Sequence, residues 1–381
     1  ASVGNDTDPS NLNNTYTFGQ LYGSNPTVTN SSALLNSQLQ PERSTAYEFG
    51  GDFRFFQGRL GFDVTYYNNI SANQIIELPT STASGYTSKI ANGGKIQSTG
   101  VEAIVTATPL RTKDFQWNVF ANFSRNVSTV IELPDGVEQY VTGAARVYDR
   151  SDRSVFYIAT EGGQIGDMYG TGLLEVDGRR VYDANGNPVK DPNLRLLGNY
   201  NPDFILGFGT EFSWKGLSLG LLFDWRQGGV MVSRTLAIAS TSGAWASTLP
   251  GRETGVVGDG VVNVGTDQNP VYADNTTAIP AQNYYNQYYD RDNEANALYD
   301  ASYLKLREVR LSYQLPQKIV QKIHFTGIKF SFIAKNLAVF TENPHFDPEL
   351  AAMQGRNFAF GVEDMSYPSS RSFGFSINLT L

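Results

Sequence analysis

The sequence predicts an all-β chain: the C-terminal portion of a transmembrane antiparallel β-barrel, with about nine to ten strands and long extracellular loops. Three observations carry this prediction. Side chains alternate between apolar and polar with period two over many segments, connectors are alternately short and long, and the composition is rich in aromatics (13%) but poor in charge (17%). Soluble proteins usually carry about a quarter charged residues. A sheet with one face in lipid and the other in water instead needs half its positions apolar and half polar. No run of 18 consecutive apolar residues occurs, so the sequence offers no transmembrane helix.

In chain order, alternation begins at 46–56, where Tyr47, Phe49, Phe53 and Phe55 oppose Glu48, Asp52 and Arg54. At 59–68, Leu60, Phe62, Val64 and Tyr66 oppose Asp63 and Thr65, and segments 96–109 and 114–126 follow more loosely. It is regular again at 203–214, with Phe204, Leu206, Phe208, Phe212 and Trp214 opposing Asp203, Gly207, Gly209, Glu211 and Ser213. At 217–225, Leu217, Leu219, Leu221, Phe223 and Trp225 oppose Ser218, Gly220 and Asp224. Segments 303–315 and 326–338 are looser. The final residues are clearest, with Phe373, Phe375, Ile377, Leu379 and Leu381 separated by small or polar residues. Period two sends alternate side chains to opposite faces of a sheet, and each segment is near the roughly 9–11 residues that cross a bilayer when tilted.

Connector length separates a barrel from a soluble sandwich. Gln57-Gly58, Leu110 to Lys113, Lys215-Gly216 and about a dozen residues from Pro316 join strands in pairs, while 69–95, 127–202, 226–302 and 339–370 lie between the pairs. This strict alternation is the turn-and-loop asymmetry of outer-membrane barrels. With the last strand running inward, every short connector falls on the periplasmic side. Phe55, Phe56, Phe115, Trp117, Phe212 and Trp214 flank those turns, where an interfacial girdle belongs. The lumen wall is then expected to carry Glu48, Asp52, Arg54, Asp63, Glu102, Asn118, Asn122, Glu211, Asp224, Arg310 and Lys335, since polar groups facing lipid are costly. Nine strands do not complete such a barrel with an even count. Ala1 to Asn5 read as the tail of an earlier outward strand, which places the missing strands N-terminal to this chain.

The remaining chemistry is sparse. Net charge is −8 and no Lys/Arg stripe is present, so nucleic acid is not an expected partner. The absence of Cys removes disulfides, thiolate metal sites and a Cys nucleophile. Catalysis needs a tuned base, and only His324 and His345 are available. His345 with Asp347 and Glu349 is read as solvated loop charge, with neither enzymatic activity nor a metal or other cofactor expected. Asp183 to Asn187 resembles a calcium loop superficially but lacks its sixth-place Gly and closing Glu, and an Asn-Gly turn between Val181 and Val189 explains it better. The best ligand candidate is loop 281–290, where Tyr284, Tyr285, Tyr288 and Tyr289 offer flat faces with polar tips for a substrate or a partner protein.

Several segments resemble the SusC/RagA-class TonB-dependent transporters of Bacteroidetes, over the C-terminal half of the barrel. They are Val3-Gly4-Asn5-Asp6-Thr7, EFGGDFRFFQGRLGFDVTYY at 48–67, NGGKIQSTGVE at 92–102, and the stretch 197–229 beginning LGNYNPDF. DASYLKLREVRLSYQLP at 300–316, KNLAVFTENPHFDPE at 335–349 and YPSSRSFGFSINLTL at 367–381 complete the set, in the right order over nearly the whole chain. Leu381 departs from the aromatic that often ends such strands, and His345 stands where a small residue is common. The resemblance implies a 22-stranded barrel in the outer membrane with an N-terminal plug that this chain does not contain. It also implies a SusD-class surface lipoprotein as lid, contact with the TonB complex through the missing N-terminal region, and oligosaccharide or oligopeptide as cargo. A purely structural or assembly role in an envelope complex is the alternative.

Overall fold

A computed structural model describes residues 2–4, 8–146, 154–290, 293–343, 347–354 and 357–381. Ten strands form one meandering antiparallel sheet in which neighbours in sequence are neighbours in space. Along this sheet they are β1 (Ser2–Gly4), β2 (Arg43–Phe55), β3 (Leu60–Ala72), β4 (Lys95–Arg111) and β5 (Phe115–Glu132). β6 (Phe204–Trp214), β7 (Leu217–Gln227), β8 (Tyr303–Gln314), β9 (Gly327–Phe340) and β10 (Ser372–Thr380) follow. The nine strands read from alternation are all present, and the expected N-terminal tail pairs Ser2 with Thr45 and Gly4 with Arg43.

Several strands run further than the alternation does. Asn68, Asn69 and Ser71 continue the β2–β3 ladder, and Ser128 and Thr129 continue that of β4–β5. There the ladder has left the apolar band. Both faces meet water or other connectors, so hydrogen bonding persists after the side-chain pattern has stopped.

Register turns alternation into two continuous faces. Leu110, Trp117, Phe212, Leu219, Leu311, Phe332 and Phe375 stand in one cross-strand row from β4 to β10. Trp117 stacks on Phe212 at 5.6 Å and Phe208 on Phe223 at 5.0 Å. The Trp117 indole N–H donates to Thr210 Oγ1 at 2.7 Å, so its one donor is satisfied within the apolar face.

On the other face Asp52, Asp63, Ile104, Asn122, Gly207, Asp224 and Lys305 form a row, and the expected lumen residues share this face. A hollow of about 600 Å³ opens here, and its lining includes Asp63, Glu102, Asn122 and Asp224. Ser213, Ser218, Ser312, Ser331 and Ser376 form a second row, with hydroxyls 3.1 Å apart at Ser213–Ser218 and 2.9 Å at Ser312–Ser331. Arg310 reaches Glu211 at 3.2 Å across the intervening strand, because Gly220 between them has no side chain to block the path.

The largest core cluster lies among the long connectors rather than in the wall, whose apolar face has no protein partner. It joins Ala145, Val155, Met168 and Leu197 to Val232, Leu236, Ala237 and Ala297, and both groups to Ala352, Ala359 and Val362. A helix in the 226–302 connector, α1 (Arg234–Thr241), begins at Ser233, whose hydroxyl accepts the Leu236 N–H at 3.0 Å. Glu363, fully buried in the 339–370 connector, accepts from the Ser233 hydroxyl at 2.9 Å and the Thr235 hydroxyl at 2.5 Å. A carboxylate at a helix N-terminus meets unpaired N–H groups and the positive end of the dipole. Arg234 adds an ion pair to Asp364 at 2.6 Å. The 339–370 connector is thereby fastened to the 226–302 connector.

Candidate functional site

The four tyrosines of 281–290 lie on or just beyond a helix, α2 (Ala281–Tyr288), rather than in the expected loop. The segment lacks Gly and β-branched residues, Pro280 precedes it, and four-residue spacing sets Tyr284 over Tyr288 and Tyr285 over Tyr289. Tyr284 is buried, its ring stacked on Tyr288 at 5.5 Å and its hydroxyl 3.4 Å from that of Tyr182. Arg180 lies over the Tyr288 ring at 5.0 Å, and Tyr289 meets Tyr288 edge-on at 4.9 Å. Gln287 donates to Asn187 at 2.8 Å and Lys190 pairs with Asp290 at 2.7 Å. These contacts seat α2 on the 175–190 segment of the 127–202 connector. Burial raises the Tyr284, Tyr288 and Tyr289 phenols, which therefore stay neutral in ordinary buffers.

Tyr285 is placed differently. Its ring borders a cleft of about 330 Å³ between α1 and α2, shared with Ser240, Thr248, Arg252, Gln282 and Asn286. The Tyr285 hydroxyl donates to the Pro250 carbonyl at 3.2 Å, and Arg252 donates to the carbonyls of Gly243 at 2.6 Å and Thr248 at 3.0 Å. Ser240 is fully buried at this cleft, and its hydroxyl has no hydrogen-bond partner among the described residues. The cleft offers one aromatic ring, the Arg252 guanidinium and the Ser240 hydroxyl to a small polar group.

Asp347 and Glu349 are committed to cations that the sequence reading did not single out. Lys305, at the long-connector end of β8, is 3% exposed and pairs with Asp347, which is 5% exposed. Lys305 also pairs with Glu349 at 2.6 Å, and Arg307 bridges Glu349 at 2.6 Å and Asp224 on β7. A bulge between Leu306 and Glu308 turns Arg307 toward this cluster. The signal was present as spacing, since Lys305-Leu306-Arg307 and Asp347-Pro348-Glu349 set two cations and two anions at the same interval. Burial pushes the Asp347 carboxyl up, but hydrogen bonds from Lys305, Ser369 and the Glu349 N–H outweigh it and hold the group below the usual range. Hydrogen bonds from Arg307, then Lys305, do the same for Glu349.

His345 lies outside the described residues. His324 is exposed and adopts φ 61°, ending a short helical turn. Among the described residues, no three His, Cys, Asp or Glu side chains are arranged to hold a metal ion. Asp183 to Asn187 forms the expected tight turn, with the Val189 N–H on the Val181 carbonyl at 2.9 Å and Gly186 at φ +82°. The Asp183 carboxylate accepts the N–H groups of Asn185 and Asn187, both at 2.8 Å.

Comparison with known proteins places this architecture. A family model described as "TonB dependent receptor-like, beta-barrel" matches residues 7–337. "TonB-dependent receptor P3" of Formosa agariphila is 26% identical over 368 residues, covering 90% of this chain and 34% of the relative. "TonB-dependent receptor SusC" of Bacteroides thetaiotaomicron is 26% identical over 188 residues, 48% of this chain and 17% of the relative. A solved "Structure of the RagAB peptide transporter" superposes on 99% of this chain and 40% of its own, with a TM-score of 0.68 and 23% identity. The chain spans about a third of the length of P3 and less of SusC. It belongs to the TonB-dependent receptor-like β-barrel family of the outer membrane.

Proposed function

We propose that this chain is the C-terminal part of an outer-membrane importer, energised by TonB, that takes up oligosaccharides or oligopeptides under a SusD-class lipoprotein lid. The plug and the TonB-contacting segment belong, in this reading, to the part of the receptor that these residues do not span. The observation that carries it is a wall with one polar face, fastened through Lys305 and Arg307 to an ordered cap of connectors, since a carrier needs a wet path and a selective mouth. The names of the relatives, a SusC receptor and a RagAB peptide transporter, support the same reading. Long connectors face outward and short turns face the periplasm.

The tyrosine helix is the proposed contact for substrate or lid. Tyr285 and its cleft meet the ligand, while Tyr284, Tyr288 and Tyr289 hold the helix rigid. A well-buried aromatic contact contributes about 1–2 kcal/mol to such an interface. In the full-length receptor, changing Tyr284, Tyr285, Tyr288 and Tyr289 together to Ala should preserve the heat-modifiable mobility of the barrel but reduce cargo uptake or retention of the lid lipoprotein. Tyr285→Ala alone should lower uptake with the cap intact. Unchanged uptake and lid retention in both variants, at equal surface amounts, would mean that the tyrosines serve packing only.

A further inference from the structure

Each of the four short connectors carries exposed cations. Arg59 follows the β2–β3 turn, Arg111 ends β4 and Lys113 lies between β4 and β5, Lys215 between β6 and β7, and Lys318 and Lys322 between β8 and β9. Asp114 is the sole carboxylate among these turns. In the long connectors the balance reverses, with Asp and Glu outnumbering Lys and Arg about two to one.

These cations stand on a continuous rim. The Thr108 N–H donates to the Arg59 carbonyl at 2.7 Å, and the Arg59 guanidinium donates to the Arg111 carbonyl at 3.4 Å. The Lys215 N–H donates to the Asp114 carbonyl at 3.0 Å, and the Gln314 N–H to the Gly216 carbonyl at 2.8 Å. Strands lie about 4.8 Å apart, so successive turns repeat roughly every 10 Å along the rim. Lys305, Arg307 and Arg310 are ion-paired inside, whereas none of the six rim cations forms an ion pair among the described residues. Phe55, Trp117, Phe212 and Trp214 lie beside them on the apolar face, and Lys215 Nζ sits 5.5 Å from the Trp214 ring centre. Rings followed by ammonium and guanidinium groups match the layering of a headgroup zone, apolar bodies at the acyl boundary and charged tips at the phosphates.

We propose that this rim is a docking surface for anionic phospholipid headgroups of the inner leaflet of the outer membrane. The leaflet rests on the orientation given above, in which short turns face the periplasm. Phospholipid fits better than an acidic protein because the cations follow the membrane-parallel edge of the sheet, level with the aromatic belt, instead of gathering on one side. Each cation near such a surface weights anionic lipid by about fivefold, with diminishing returns as sites share headgroups.

The test uses the full-length receptor in phosphatidylcholine vesicles containing a low fraction of phosphatidylglycerol, with co-purifying lipids identified by native mass spectrometry. Wild type should enrich phosphatidylglycerol at least about fivefold over the bulk. Changing Arg59, Arg111, Lys113, Lys215, Lys318 and Lys322 to Gln should return the composition to that of the bulk, with heat-modifiable mobility retained. A second variant exchanging Arg for Lys, and Lys for Arg, at the six sites should keep the enrichment. No enrichment in wild type, enrichment that survives the Gln variant, or charge-dependent capture of an acidic protein without lipid preference would each overturn the proposal. External labelling of a cysteine at Lys113 in intact cells would overturn the orientation and the leaflet, independently of headgroup preference in vesicles.

Discussion

Replacing Lys305 with Met tests the ion cluster that fastens the 339–370 connector to the wall. The substitution leaves the Asp347 carboxylate, 5% exposed, without its principal counter-charge. Breaking a buried pair from one side costs about 3–5 kcal/mol. The lower figure applies here, because Asp347 keeps the Ser369 hydroxyl and the Glu349 N–H, and Glu349 retains Arg307. The connector can also escape the penalty by swinging into water, so the loss should appear as local opening rather than global unfolding. About 3 kcal/mol corresponds to an opening equilibrium raised roughly 150-fold. Hydrogen exchange in detergent should therefore accelerate by about two orders of magnitude over 347–354, while β7 keeps its protection. Replacing the pair together, as Lys305→Met with Asp347→Leu, should recover part of the loss, since no uncompensated charge then remains. Unchanged exchange over 347–354 in Lys305→Met would show that the cluster is not what holds this connector.

The depressed Asp347 and Glu349 carboxyls predict an acid limb to the same opening. Groups with lowered folded pKa values stabilise the clamp fully above the unfolded carboxylate range and lose that effect as pH falls through the folded values, so exchange over 347–354 should stay flat to about pH 5 and rise below about pH 4. On the apolar face, Leu219→Arg or Phe375→Arg should reduce barrel assembly by about 2–4 kcal/mol, and Ser218→Arg on the other face should be tolerated better. Equal damage from both faces, read by heat-modifiable mobility, would contradict the lipid–lumen division. A cysteine at exposed Asp267 should label with an impermeant maleimide on intact cells, and one at Lys113 should not. Glu363→Gln should weaken the start of α1 by about 1–2 kcal/mol, seen as faster exchange over Arg234–Thr241 with the barrel unaffected.

Sequence and structure agree where one physical constraint acts on every residue. In β2, β6, β7 and β10 each side chain meets either lipid or the lumen, so period two dominates β6 and β7, broken only at Ile205, Thr210 and Leu222, and runs unbroken from Phe373 to Leu379. The alternation fades in β5 beyond Asn126, where pairing continues to Glu132 but lipid no longer selects the outward residues. The cap was the least legible part. Its core unites residues as distant as Ala145 and Val362, and nothing local at either position announces the contact. The tyrosine cluster was visible as composition, but its division into packed rings and one ring at a cleft depends on Tyr182 and Arg180, about 100 residues away. Lys305 and Arg307 were overlooked because strand charges read as lumen solvation, whereas β8 places them beside a connector that returns about 40 residues later.

The shared core of the connectors constrains how they can diverge. Val155, Leu236 and Val362 come from three different connectors and shield one another from water. Exchanging one connector with that of a distant homologue would strand apolar surface on the other two, so productive recombination should move the cap as a block. Drift at Met168 or Gly361, where an added Cβ would come within 2.3 Å of the methionine sulfur, should be matched by compensating drift on the facing connector. Diversification of the mouth is then paced by covariation among its segments, while the exposed Asp267 turn remains free to vary alone.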